Sequence, residues 1–232
     1  MRRRSAVRAK DEERALSAYL ESAELSEGKN SELYAKSLIR AAAMCRKTGK
    51  EHDTLLKRAI AQIQSLNPSH DKAYLLIAAA ELGSESPDFA LCTLHFALLN
   101  AARETSENIG DLRALSYSLG HLSKLYEQEK RYGESLALAR KAAFAAQEAD
   151  SPEILYRWQW QIGRLLKLSG DRDGAISSYR LAIRNLEAIR QDMAMGCRKG
   201  SCLSFRDIVG PIYFELADLL LQRSAVIDRA AA

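Results

Sequence analysis

Two stretches of this chain repeat one another at a spacing of forty residues, and no other feature restricts the possible folds as much. Leu122, Ser123, Tyr126, Tyr132, Ser135, Ala139 and Ala142 recur in register as Ile162, Gly163, Leu166, Arg172, Ala175, Tyr179 and Ala182. Small and large apolar residues in this order, over two helical stretches and a tight turn, mark a stacked helical repeat. Such arrays usually exist to present a surface to another protein.

Helical punctuation extends the pattern in both directions. An opening helix is expected from about Val7 to Leu25, closed by Glu27-Gly28-Lys29-Asn30. Ser31 reads as the cap of the next helix, whose apolar stripe is Tyr34, Leu38, Ala41 and Ala42. Gly49 ends it, and a partner with Leu55, Leu56, Ala59, Ile60 and Ile63 runs to Asn67-Pro68. A further pair starts near Asp71, with Ser86-Pro87-Asp88 opening its second helix and Ala90, Leu94, Ala97 and Leu98 on the buried side. Gly110, Ser151-Pro152-Glu153 and Gly170-Asp171 mark the later boundaries.

The expected class is therefore all-α: a tetratricopeptide-like solenoid, a right-handed superhelix of helix hairpins. We divide it into residues 1–30, a helix with a basic tip; about four repeats at 31–68, 71–108, 111–150 and 152–190; a loop insertion at 191–204; and a capping helix at 205–232. Within the last repeat Gly163 is expected to face Ala175 and Ala182, letting two helices approach closely. A bulky residue at Gly163 or Ala182 would cost about 1–3 kcal/mol.

Composition excludes several classes. Apolar residues make up 47% and the formal charge is only +4, too small an excess to demand an anionic partner. The Arg2-Arg3-Arg4 start reads as a solvated terminus, which disfavours nucleic acid as a partner. No apolar run approaches a membrane span, and acids follow the arginines where a secretory signal would be apolar, so a cytoplasmic location is expected. Cys45 and Cys92 are expected to pack as small apolar groups, and Cys197 and Cys202 to be free thiols. No metal cluster, phosphate-cradling glycine loop or nucleophile–base pair is legible, so no cofactor, metal or catalytic residue is expected. His95 and Cys92 lie three apart on one helix, a spacing that more often means packing than a protease dyad.

The run Tyr156 to Leu166, followed by Gly170-Asp171, Ala175 and Tyr179, resembles the repeat region of CHAT-domain proteins. Ile189-Arg190, Ser204-Phe205-Arg206 and Tyr213 to Leu221 resemble the end of that array. In that family a tetratricopeptide array precedes a caspase-like peptidase domain, and the likeness spans the C-terminal third. It implies a regulatory or recognition array; no catalytic residue is carried over.

In a solenoid of this kind the first helix of each hairpin lines the concave face. Arg157, Trp160, Arg164 and Lys167 share one stripe of such a helix, and Tyr117 and Lys124 continue it from the preceding one. Cations around an indole suit an acidic or carboxylate-bearing peptide. Against this, cations on a helix's outer stripe are commonly only solvated. Trp158 and Trp160 point to different sides, so at least one is expected to pack between repeats. The expected function is a non-enzymatic protein- or peptide-binding module that regulates or scaffolds a partner, a caspase-like peptidase included. The second reading is a self-associating scaffold, motivated by a final helix bearing Leu216 and Leu220 without a partner.

Overall fold

The computed structural model describes the backbone of residues 2–84, 89–190 and 205–231, and side chains over 11–84, 94–190 and 210–223. Among these residues there are ten helices and no strand, so the chain is all-α. They are α1 (Arg2–Ser26), α2 (Ser31–Lys47), α3 (Asp53–Gln64), α4 (His70–Gly83), α5 (Phe89–Ile109), α6 (Leu112–Gln128), α7 (Tyr132–Glu148), α8 (Pro152–Leu168), α9 (Arg172–Ala188) and α10 (Phe205–Ala231). None of the described helices is long and apolar enough to cross a membrane.

The chain forms two compact units, residues 1–118 and 119–232. In the first, α1 packs on α2, α2 on α3 and α4 on α5, while α4 also touches α2 and α3. Its interior is built from the expected stripes, including Leu38, Ala41, Leu56 and Ile63, all shut from solvent. In the second unit α7 packs on α8, α8 on α9 and α10 on α9.

The forty-residue period divides into a finer one. Helices α6 to α9 are each 17 residues long and begin at positions 112, 132, 152 and 172. The residue with positive φ in the turns bounding them recurs at the same step: Gly110, Lys130, Asp150 and Gly170. Each turn closes with the same two backbone bonds, as when Lys130 N–H donates to Glu127 and Arg131 N–H to Tyr126. That is the Schellman ending, which places a left-handed residue just past the helix. The sequence pattern locates the turns at Gly110 and Gly170 and misses the left-handed residues at 130 and 150, because neither is a glycine. Lysine is strained there, at φ 61°. Lys130→Gly is expected to raise stability by about 1 kcal/mol, read as a higher urea midpoint with an unchanged slope.

Several local expectations need correction. Asn30, not Ser31, caps α2: its Oδ1 accepts from Leu33 N–H at 2.9 Å. Ser151 stands at the cap position of α8, with Pro152 behind it, but makes no side-chain cap bond. Its hydroxyl donates to Ala149 O instead. On α5, Leu94 and Ala97 are exposed, and the buried side is Leu98, Leu99 and Ala102. A Cβ on Gly163 would meet the Tyr179 ring at 3.0 Å, so Tyr179, rather than Ala175 or Ala182, sets the closest approach. The Ser86-Pro87-Asp88 entry, the insertion at 191–204 with Cys197 and Cys202, and the side chains of Arg2 to Arg4, Ala90 and Cys92 lie outside the described residues. Cys45 is buried in a small apolar cluster with Leu16 and Ala41, and burial pushes its thiol pKa up.

Candidate functional site

Small residues determine how α6, α7, α8 and α9 meet. Ser123 on α6 and Ser135 on α7 are both fully buried. Each hydroxyl donates to the other's carbonyl at 2.8 Å, a reciprocal pair that only short side chains allow. Gly120, one turn before Ser123, receives the Trp158 ring so closely that an added Cβ would lie under 3.0 Å from it. Trp158 is 1% exposed and makes the packing contact between α6 and α8. The sequence offers two candidates for that role, and Trp158 fills it.

Above this floor lies a recess of about 230 Å³ lined by Lys124, Tyr156, Arg157, Trp158, Trp160, Gln161 and Arg164. It gathers four of the six residues singled out in the sequence: Lys124, Arg157, Trp160 and Arg164. Lys167 follows one turn along α8. Tyr117 does not join them; it belongs to the first unit, where its ring meets Tyr74 edge-on at 6.0 Å. Lys124 Nζ stands 5.5 Å from the Trp158 ring centre, and the Arg164 guanidinium 5.7 Å from that of Trp160. Both distances suit cation–π attraction.

Part of the expected basic stripe is already engaged by the chain's own acids. Arg164 pairs with Glu127 at 3.3 Å. Lys167 pairs with Asp218 of α10 at 3.1 Å, and that lysine holds the Asp218 carboxyl below its ordinary range. Glu215 of α10 accepts from Trp160 Nε1–H at 3.0 Å and from the Tyr179 hydroxyl at 2.6 Å. No sequence signal links Glu215 to Trp160, fifty-five positions away. Docking is completed by Ile212 and Leu219, both buried in one core cluster with Tyr179 and Leu165. Lys124, Arg157 and Arg164 thus line the recess, with Glu127 held on Arg164 and the Glu215 carboxylate on Trp160.

Gln161 connects the floor to the charges. It is 2% exposed, and its Nε2 donates to Ser123 Oγ at 2.9 Å and to Glu127 at 3.2 Å. Among the described residues, Gln161 Oε1 and Arg164 Nε are buried without a hydrogen-bond partner. Such orphans are uncommon and carry a cost of about 1–3 kcal/mol each.

Tyr179 of α9 and Tyr213 of α10 make the second unit sensitive to alkali. Burial, then donation to Glu187, pushes Tyr213 up to about 12; burial and the Glu215 carboxylate push Tyr179 up as well. A raised folded-state pKa means stability that is complete below pH 10 and declines as pH climbs toward the folded value. The urea midpoint is expected to fall between pH 10 and 12, less steeply in Tyr213→Phe. Parallel slopes for the two proteins would contradict this.

No protein-family model matches the sequence, and no curated protein matches it. Among solved structures, the chain is similar to the "Crystal structure of BtubC (BKLC) from P. vanneervenii". The TM-score is 0.65 at 17% identity, covering 95% of this chain and 89% of the other. At that identity the likeness speaks to the fold, a repeat-like assembly of helices, and to nothing else.

Proposed function

We propose that this chain is a non-enzymatic, cytoplasmic tetratricopeptide-type module that regulates or scaffolds a protein partner by holding one of its acidic segments. The observation that carries this reading is the recess itself. Lys124, Arg157 and Arg164 line it beside the Trp160 indole, over a floor made by the buried Trp158 ring. Guanidinium groups fork onto carboxylates, and the half-buried Trp160 ring supplies apolar area beside them. The resemblance to CHAT-associated arrays makes a caspase-like peptidase the partner class to test first.

Lys124 and Arg157 are both exposed, and circular dichroism of the charge-reversed variant checks that it stays folded. Acetylated hexaglutamate titrated into wild type and into a Lys124→Glu, Arg157→Glu variant is expected to bind the variant at least tenfold more weakly. That follows from losing two charge-assisted contacts of about 1 kcal/mol or more each. Equal affinities would remove the recess from consideration.

A self-associating scaffold is the second reading. Phe214 and Leu221, two turns apart on α10, are 69% and 70% exposed and share one face. Light scattering that gives a constant monomer mass up to millimolar concentration would eliminate it.

A further inference from the structure

We infer that the recess reads the main chain of its ligand as well as its charge, with Gln161 and Arg164 forming an amide-reading pair. This rests on the peptide-binding reading above and names what that peptide must offer. Three buried side-chain atoms lack partners among the described residues. One is His52 Nε2 in the first unit; the other two, Gln161 Oε1 and Arg164 Nε, both belong to residues lining this recess. They sit one turn apart on α8, so they lie on one side of the helix.

Their chemistry is complementary. Gln161 Oε1 can only accept and Arg164 Nε–H can only donate. The glutamine cannot be turned over to exchange its ends. Ser123 Oγ already donates its proton to Ser135 O, so it must accept from the glutamine, and Glu127 also requires a donor. An acceptor and a donor fixed this way match a group that presents N–H and C=O together, which is a secondary amide. A peptide bond supplies both, with its N–H directed to Gln161 and its carbonyl to Arg164. The Arg164 side chain is 37% exposed, and its guanidinium lies 3.3 Å from Glu127. A carboxylate on the same peptide then reaches Lys124 and Arg157.

Acetyl-Ala-Glu-Ala-amide is the probe, compared with the same peptide methylated on the nitrogens of glutamate and the following alanine. Binding is measured by calorimetry, with the Arg164 Nε–H resonance followed by nitrogen-15 NMR. Methylation is expected to weaken binding about tenfold, and the parent alone to shift that resonance. Arg164→Lys keeps the charge but removes Nε, and Gln161→Met removes the acceptor; each is expected to bring both peptides to the same weak affinity. Equal binding of the two peptides to wild type, or an Nε–H signal that exchanges with trapped water and ignores the parent, would overturn the amide-reading pair and leave the charge reading intact. Binding that also survives removal of the glutamate, or no binding of hexaglutamate, would mean that the peptide-binding reading has failed, and this inference with it.

Discussion

Trp158→Ala is expected to destabilise the second unit by about 3–5 kcal/mol, a large fraction of what holds a domain folded. The side chain is 1% exposed, rests on Gly120, and meets the His121 ring edge-on at 5.9 Å. Truncation leaves a cavity bounded by the glycine, a residue with nothing to fill it. The converse change tests the same contact. Gly120→Ala sets a methyl against the indole, and the strain of about 1–3 kcal/mol exceeds the roughly 0.5–1 kcal/mol that alanine gains in a helix. Urea unfolding followed by circular dichroism measures both. A Gly120→Ala protein as stable as wild type would show that Trp158 does not bear on this helix.

Gly163→Leu is the second large effect, at or above the upper end of about 1–3 kcal/mol. The neighbouring Tyr179 ring is fully buried, and its hydroxyl is fixed on Glu215, so it cannot swing aside without giving up that bond. Gly133 provides the internal control. It lies in the first turn of α7, where an added methyl would have nothing within 4 Å, so Gly133→Ala is expected to be neutral or to stabilise by up to about 1 kcal/mol. If both glycines tolerated larger residues equally, close packing of α8 on α9 would not explain the forty-residue pattern.

Much of the fold is legible because the repeat writes its small residues at fixed steps. Ser123, Ser135 and Gly163 are all points of close approach. The cap of α2 is misplaced by one residue because Asn30 and Ser31 are equally good capping types. Lys130 and Asp150 escape notice as left-handed positions because the helix packing on either side imposes the turn whether or not glycine is present. Cross-helix partners are the least legible. Gly120 meets Trp158, and Trp160 meets Glu215, across separations that no periodicity records. The pattern shows the candidate site as a stripe on α8, but the stripe alone cannot show that α10 engages Trp160 and Lys167 beside the recess.

Site-resolved NMR shift mapping with acetylated hexaglutamate is the most direct test of that recess. The shifts are expected to concentrate on Lys124, Arg157, the two indole N–H groups, Gln161 and Arg164, and to weaken together as salt is added. Shifts spread evenly over lysines and arginines of both units, with the indoles unmoved, would contradict the assignment of this recess as the binding site.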